Sequence, residues 1–268
     1  GVKKPAVKAP VKKAPARKTV VAKPTTPTGP VIVPVIQEKV KVLAYTDDGK
    51  NGIFAGTDSG LFRTYDITKG WEKLSFGELG SINVFAIHAN PLQPGTIFVG
   101  TDRSGVLVSR DSGKTWTKTA TIPPDVPISS ITTDPKNGDV VYVGTSQTFY
   151  VSRDGGITWK RRGGNLPLGN YTSILINPSN TDEIFVSSSL EIDGGIYYSA
   201  NAGNDWKRVD SKEMKLPSRR VWAMIFDPTN SDRIFAATHS SGVYRIERAP
   251  SAAATTEPTR PRISVPGN

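Results

Sequence analysis

The chain has 268 residues, with 34 Lys and Arg against 24 Asp and Glu for a formal charge of +10, 37% hydrophobic residues and no cysteine. The apolar share is that of a globular protein, and the missing thiols exclude a disulfide framework, a zinc-thiolate site and a cysteine nucleophile. No apolar run approaches the roughly 20 residues that cross a bilayer as a helix.

In chain order, residues 1–30 come first, with seven Lys, one Arg and no acid among Pro, Ala, Val and Thr. Such a segment lacks the apolar content to offset the entropy of ordering and reads as a disordered linker. Its prolines favour extended spacing of about 3.1 Å per residue, a reach on the order of 90 Å. Its charge would also draw it to an anionic surface such as lipid head groups, acidic polysaccharide or nucleic acid. The sequence opens at Gly1 without a signal peptide or lipidation box, as a processed or excised product would. Residues 31–250 carry only +1, a poor match for a fold whose own surface binds phosphates. Residues 249–268 read as a disordered C-terminal tail, unpatterned from Ser251 onward.

Between the tails the chain repeats. IFAGTD, IFVGTD, VYVGTS, IFVSSS and IFAATH begin at Ile53, Ile97, Val141, Ile184 and Ile234, in steps of 44, 44, 43 and 50. A second apolar run precedes each, and runs such as LVSRD and YVSRD follow. Four copies then close on Trp71, Trp116, Trp159 and Trp206. Four short β-rich runs per unit, bounded by Gly, Pro, Asn and Asp, predict four antiparallel strands per repeat. A period of forty-odd residues with four strands is that of a β-propeller blade. The prediction is an all-β, five-bladed propeller over residues 31–248. The run VIVPVIQ, starting at Val31, is expected to close the ring by completing the last blade beside Val243, with Pro34 on an outer edge.

The octapeptides SRDSGKTW and SRDGGITW occur at Ser109 and Ser152. Both match the pattern S-x-D-x-G-x-T-W and resemble the Asp box of bacterial-neuraminidase-type repeats, found in sialidases, sortilin-type receptors, xyloglucanase-like glycosidases and photosystem II assembly propellers. SANAGNDW keeps Ser199, Gly203 and Trp206, and TYDITKGW keeps Asp66 and Trp71. Asp111 and Asp154 can accept amide hydrogen bonds of their own turn, Gly113 and Gly156 permit positive φ, and Trp116 and Trp159 enter the layer between sheets. The boxes are therefore expected to be structural corners. No metal is expected there, because each offers one acid where calcium takes six to eight oxygens. No cofactor is expected either.

In that family the boxes lie away from the ligand face, so recognition is expected on the opposite rim. There the register after each second strand holds Asp58, Asp102, Ser146, Ser189 and His239. Ring closure would bring Asp58, Asp102 and His239 into one sector, the candidate acid/base or metal group, against the plainer reading that these residues shape turns. A second sector is basic and aromatic, with Arg161, Arg162, Lys215, Arg219, Arg220, Tyr171 and Trp222, beside the insertion SSSLEIDGG that carries Glu191 and Asp193. Sialidases need an Arg-Ile-Pro motif near the start, whereas the nearest tripeptide here is Arg233-Ile234-Phe235. The expectation is an extracytoplasmic, noncatalytic propeller binding a protein or glycan, with a xyloglucanase-like glycoside hydrolase as the alternative.

Overall fold

The computed structural model describes residues 30–209 and 216–247 and the backbone of residues 262–264. The first sheet contains β1 (Val31–Val33), β2 (Val40–Tyr45), β3 (Ile53–Thr57), β4 (Leu61–Thr64) and β5 (Trp71–Leu74), in the order β1-β5-β4-β3-β2. The second is β6 (Val84–Ala89), β7 (Ile97–Thr101), β8 (Val106–Ser109) and β9 (Thr117–Lys118). The third is β10 (Ile128–Asp134), β11 (Asn137–Thr145), β12 (Phe149–Ser152) and β13 (Lys160–Arg161). The fourth is β14 (Tyr171–Ile176), β15 (Ile184–Ser188), β16 (Gly195–Ser199) and β17 (Lys207–Arg208). The fifth is β18 (Val221–Asp227), β19 (Asn230–Thr238), β20 (Gly242–Glu247) and β21 (Arg262–Ser264). All pairings are antiparallel, and apart from β1 on β5 each joins strands consecutive in the chain.

Each sheet buries both faces where it has a neighbour. Phe54 and Leu61 of the first sheet meet Ile87 and Val99 of the second, Phe98 and Val106 of the second meet Ile131 and Val143 of the third, and the pattern continues to the fifth. At one repeated position the forward face thus presents a large aromatic, Phe54, Phe98, Tyr142 or Phe185, to the next sheet's back face. Among the described residues no core cluster joins the fifth sheet to the first.

The Gly of the repeated Gly-Thr lies on the forward face at the point of closest approach. A Cβ on Gly56 would meet Val84 Cγ1 at 2.5 Å and one on Gly100 would meet Ile128 Cγ2 at 2.5 Å, whereas one on Gly144 would overlap the Tyr171 carbonyl oxygen. These glycines serve sheet packing rather than ligand access. At this level in all five sheets the edge strand that adjoins its counterpart in the next sheet, here called innermost (β2, β6, β10, β14 and β18), carries a bulge, with register shifts at Val40/Val42, Val84/Ala86, Ile128/Ser130, Tyr171/Ser173 and Val221/Ala223.

Two expectations for the chain ends are corrected. Val31–Val33 does not complete the last sheet. It pairs with β5, Val31 opposite Lys73 and Val33 opposite Trp71. The reason is local: β5 has four residues and an unpaired outer edge, where β9, β13 and β17 have two each. Gly70, at φ +90°, has no Cβ to collide with the Val33 carbonyl oxygen, which such an atom would meet at 2.5 Å, so the strand can run alongside. Pro34 follows the strand, consistent with an outer edge. The fifth sheet takes its fourth strand instead from Arg262–Ser264, within the segment expected to be an unpatterned tail. Because β1 is outermost and β2 innermost, residues 34–39 must cross the first sheet. Glu38 reaches Lys73 at 3.4 Å and the Lys73 ammonium lies 5.3 Å from the centre of the Phe62 ring, which places the crossing on the back face. The basic arm, residues 1–29, lies outside the described residues, as does Lys215.

Candidate functional site

The Asp boxes fix the two ends of the molecule. In the second sheet Ser109 Oγ donates to Asp111 Oδ1 at 2.8 Å and accepts from the Gly113 N–H at 2.8 Å, while the Thr115 N–H and hydroxyl donate to the two Asp111 oxygens at 2.9 and 2.6 Å. Ser152, Asp154, Gly156 and Thr158 repeat this arrangement. Despite partial desolvation, hydrogen bonds from Thr115 and Ser109 hold the Asp111 carboxyl down at about 2, and those from Thr158 hold Asp154 at about 2. Every carboxylate lone pair in use faces its own turn. Gly113 and Gly156 have φ of +88° and +87°.

The tryptophans face the sheet interface. Trp159 is buried and donates its indole N–H to Thr119 Oγ1 at 3.1 Å, and Trp206 donates to the Gly203 carbonyl at 3.1 Å. Trp116 packs on Phe76 with ring centroids 4.9 Å apart. Arginine links the corners in series, Arg63 donating to the Ser112 carbonyl and Arg110 to the Gly155 carbonyl, both at 2.8 Å.

The degenerate third box keeps the fold by exchanging roles. Asn201 Oδ1 accepts from the Asp205 N–H at 2.9 Å, while Asn201 Nδ2 donates to Asp205 Oδ2 at 3.0 Å, reversing the Thr-to-Asp bond of the complete boxes. This swap predicts a compensation. Thr158→Asp alone sets two carboxylates together and should cost about 1–2 kcal/mol, and adding Asp154→Asn should recover most of it in a urea-unfolding double-mutant cycle. Independent, additive losses would contradict the assignment.

The opposite rim is defined by a repeated backbone bond. The amides of Asp58, Ser146, Ser189 and His239 donate to the carbonyls of Lys39, Pro127, Asn170 and Arg220, each the residue before an innermost strand. Side chains extend this into two networks. Lys41 donates to Asn83 at 2.6 Å, Asn83 to Asp102 at 3.1 Å, and the Lys41 ammonium lies 4.3 Å from the Phe85 ring centre. Ser129 donates to Asn170 Oδ1 at 2.5 Å, Asn170 Nδ2 to Ser189 at 2.9 Å, and Arg220 Nε to the Ser189 carbonyl at 3.3 Å. The Arg220 guanidinium lies 5.6 Å from the Trp222 ring, and His239 is 6.4 Å from the same ring.

The structure does not assemble Asp58, Asp102 and His239 into one group. Asp102 is engaged by Asn83, His239 lies beside Trp222 and Ser240, and among the described residues no core cluster joins the fifth sheet to the first. No group of three His, Asp or Glu residues among the described residues could hold a metal. Cavities of about 460, 380 and 370 Å³ lie along the Asp-box flanks and the outer side of the first sheet, each lined by at most one carboxylate.

The basic and aromatic sector divides. Tyr171 is wholly buried between the third and fourth sheets and donates its hydroxyl to the Pro167 carbonyl at 2.6 Å, which makes it a core residue rather than the ligand surface expected of it. Arg161 lies on the outermost strand and donates to Thr148, and the Arg162 carbonyl accepts from Trp206. Arg219 instead donates to the Ile192 carbonyl at 3.1 Å, fastening the insertion that carries Glu191 and Asp193 to the segment before β18. On this rim Leu168 and Ile192 stand well out of the surface, and Leu190 and Trp222 are exposed large apolar side chains beside Arg219 and Arg220. Leu168, Leu190 and Ile192 carried no repeat signal, so sequence reasoning missed them. The irregular step of 50 was the one clue to that loop.

Five antiparallel sheets packed in series with Asp-box corners define a propeller-type repeat protein. The Sortilin-Vps10 model (sortilin, neurotensin receptor 3) matches residues 147–258. The chain is 27% identical over 183 residues to a "Probable oligoxyloglucan-reducing end-specific xyloglucanase" of Neosartorya fischeri, covering 66% of this chain and 17% of that protein. In structure it is similar to an ancestral GH74 enzyme, with TM-score 0.63, 18% identity, 83% of this chain and 29% of that one covered. It is also similar to YCF48 bound to D1 peptide, with TM-score 0.57, 15% identity, 84% and 68% covered. The chain thus resembles Asp-box propellers and spans about a sixth of the length of that curated relative.

Proposed function

We propose that the five sheets act as blades around one axis and that the chain is a noncatalytic recognition module, binding a protein or glycan on the rim opposite the Asp boxes. The observation that carries this reading is the exposed pair Ile192 and Trp222, held beside Arg219 and Arg220, with Leu190 exposed next to Ser189, whose carbonyl Arg220 bonds, and Leu168 exposed two residues before Asn170, which bonds Ser189. Apolar side chains beside guanidinium groups form a surface with an apolar centre and a charged border, the composition of an interaction site. No helix among the described residues is long and apolar enough to cross a membrane. We place the module outside the cytoplasm, with residues 1–30 as a basic arm toward an anionic surface.

Glycoside hydrolysis is the second reading, supported by the xyloglucanase likeness. The test sets them apart. Xyloglucan oligosaccharides should bind or be ignored but not be cleaved, and a pull-down partner or bound glycan should be lost at least tenfold in Trp222→Ala and in the double variant Arg219→Glu/Arg220→Glu. Reducing-end release that disappears in Asp58→Asn or Asp102→Asn would replace the proposal with the enzyme.

A further inference from the structure

Each interface between consecutive sheets is built from one forward face and one back face, and among the described residues one of each is left uncovered, on the fifth and first sheets. On the forward face, the positions filled by Phe54 and Leu61, Phe98 and Val106, Tyr142 and Phe149, and Phe185 and Ile196 are buried in the first four sheets. Their counterparts in the fifth sheet are Phe235 and Val243, and Val243 is 60% exposed. Ile225, across from Phe235, is 62% exposed.

On the back face, Ile87 and Ala89 of the second sheet are buried against the first. Their counterparts in the first sheet, Leu43 and Tyr45, are 63% and 72% exposed. The crossing segment at residues 34–39 lies toward Phe62 and Lys73 and leaves this inner part of the back face open. The two open surfaces are therefore the missing halves of an interface that the chain already builds four times. Apolar side chains at these exposures favour burial at about 25 cal/mol per Å².

We infer that the occupant is a second copy of this chain, docked head to tail, its first sheet (Leu43, Tyr45) on the fifth sheet (Ile225, Val243) of its neighbour. The contact is heterologous, so successive copies close into a ring or extend. The inference is independent of what the rim binds, since it concerns sheet faces rather than rim loops.

Sedimentation velocity of the full chain over a concentration series tests it. Wild type should associate reversibly. Leu43→Asp and Ile225→Asp should each weaken association at least tenfold, because either buries an unpaired carboxylate. Their mixture should form a heterodimer that grows no further, since it holds one intact face of each kind. Val243→Lys, also at an exposed position, serves as a second fifth-sheet variant, and unchanged urea midpoints confirm folding. A wild type that stays monomeric at all concentrations overturns the inference, as does a Leu43→Asp variant that associates like wild type, which would mean that two fifth sheets meet. A mixture that fails to pair overturns it as well.

Discussion

Acidification from pH 7 to pH 4 should lower the unfolding free energy by at most about 3 kcal/mol, and His88→Gln should remove most of that loss. His88 lies between the second and third sheets, where its Nε2 accepts from the Thr133 N–H at 3.2 Å and its ring lies 6.4 Å from that of Phe98. Desolvation by these strands pushes the imidazole from its ordinary 6.5 down to about 4. Protonation would also set a donor against the Thr133 amide. Between those two values the unfolded chain binds the proton and the folded one does not, so stability is complete above about 6.5 and declines as pH falls through about 4. The residue keeps some exposure, which makes the figure an upper limit.

The assignment is clean because the chain has only two histidines and the other, His239, stands on the rim. A loss of about 3 kcal/mol corresponds to roughly 6–12 °C in Tm for a domain of this size. Glutamine keeps an acceptor for the Thr133 amide and cannot titrate. An equal slope between pH 6.5 and 4 in His88→Gln would refute the assignment. Below pH 4 a second decline should follow as Asp111 and Asp154 protonate, their carboxyls being held at about 2 in the folded state.

Gly144→Ala is the second large effect, a destabilisation of about 3 kcal/mol or more from adding a single methyl group. The Cβ would overlap the backbone carbonyl oxygen of Tyr171 and lie 2.5 Å from Ser130 Oγ. Backbone cannot rotate away as a side chain can, so the third and fourth sheets must separate and open the cluster around Tyr142, Phe149 and Trp206. Equilibrium urea unfolding would read the cost as a lower midpoint at similar m-value. The fourth and fifth sheets carry Ser187 and Ala237 at this position. Ser187 is accommodated by a hydrogen bond with Thr172 at 3.1 Å, and Ala237 faces the uncovered end. Ala237→Gly should accordingly change stability little. A Gly144→Ala protein with wild-type stability would show that the sheets are less tightly apposed than described.

The repeat period made the strands legible because both faces of an internal sheet must be apolar, and the octapeptides were legible because a turn needing positive φ and a self-satisfied carboxylate permits few residue types. What the sequence concealed was relational. Nothing in VIVPVIQ says which outer edge it joins, since an edge strand needs only extended backbone, and the longer β5 decided it. Tyr171 read as a surface aromatic because it follows a turn, yet the bulge beside it turns its ring into the sheet interface. The exposed Leu168 and Ile192 left no pattern, since loop positions answer to a partner and not to the fold.

The bulge in each innermost strand leaves one residue without a partner in the ladder, and the five occupants are Lys41, Phe85, Ser129, Thr172 and Trp222. A cation, two aromatics and two small hydroxyls stand at one backbone geometry, so the bulge accepts side chains of different chemistry, even though Thr172 also bonds Ser187 and the Val221 carbonyl. Five such sites offer natural variation, or a combinatorial library, a palette that can be rewritten while the hydrophobic layers stay untouched.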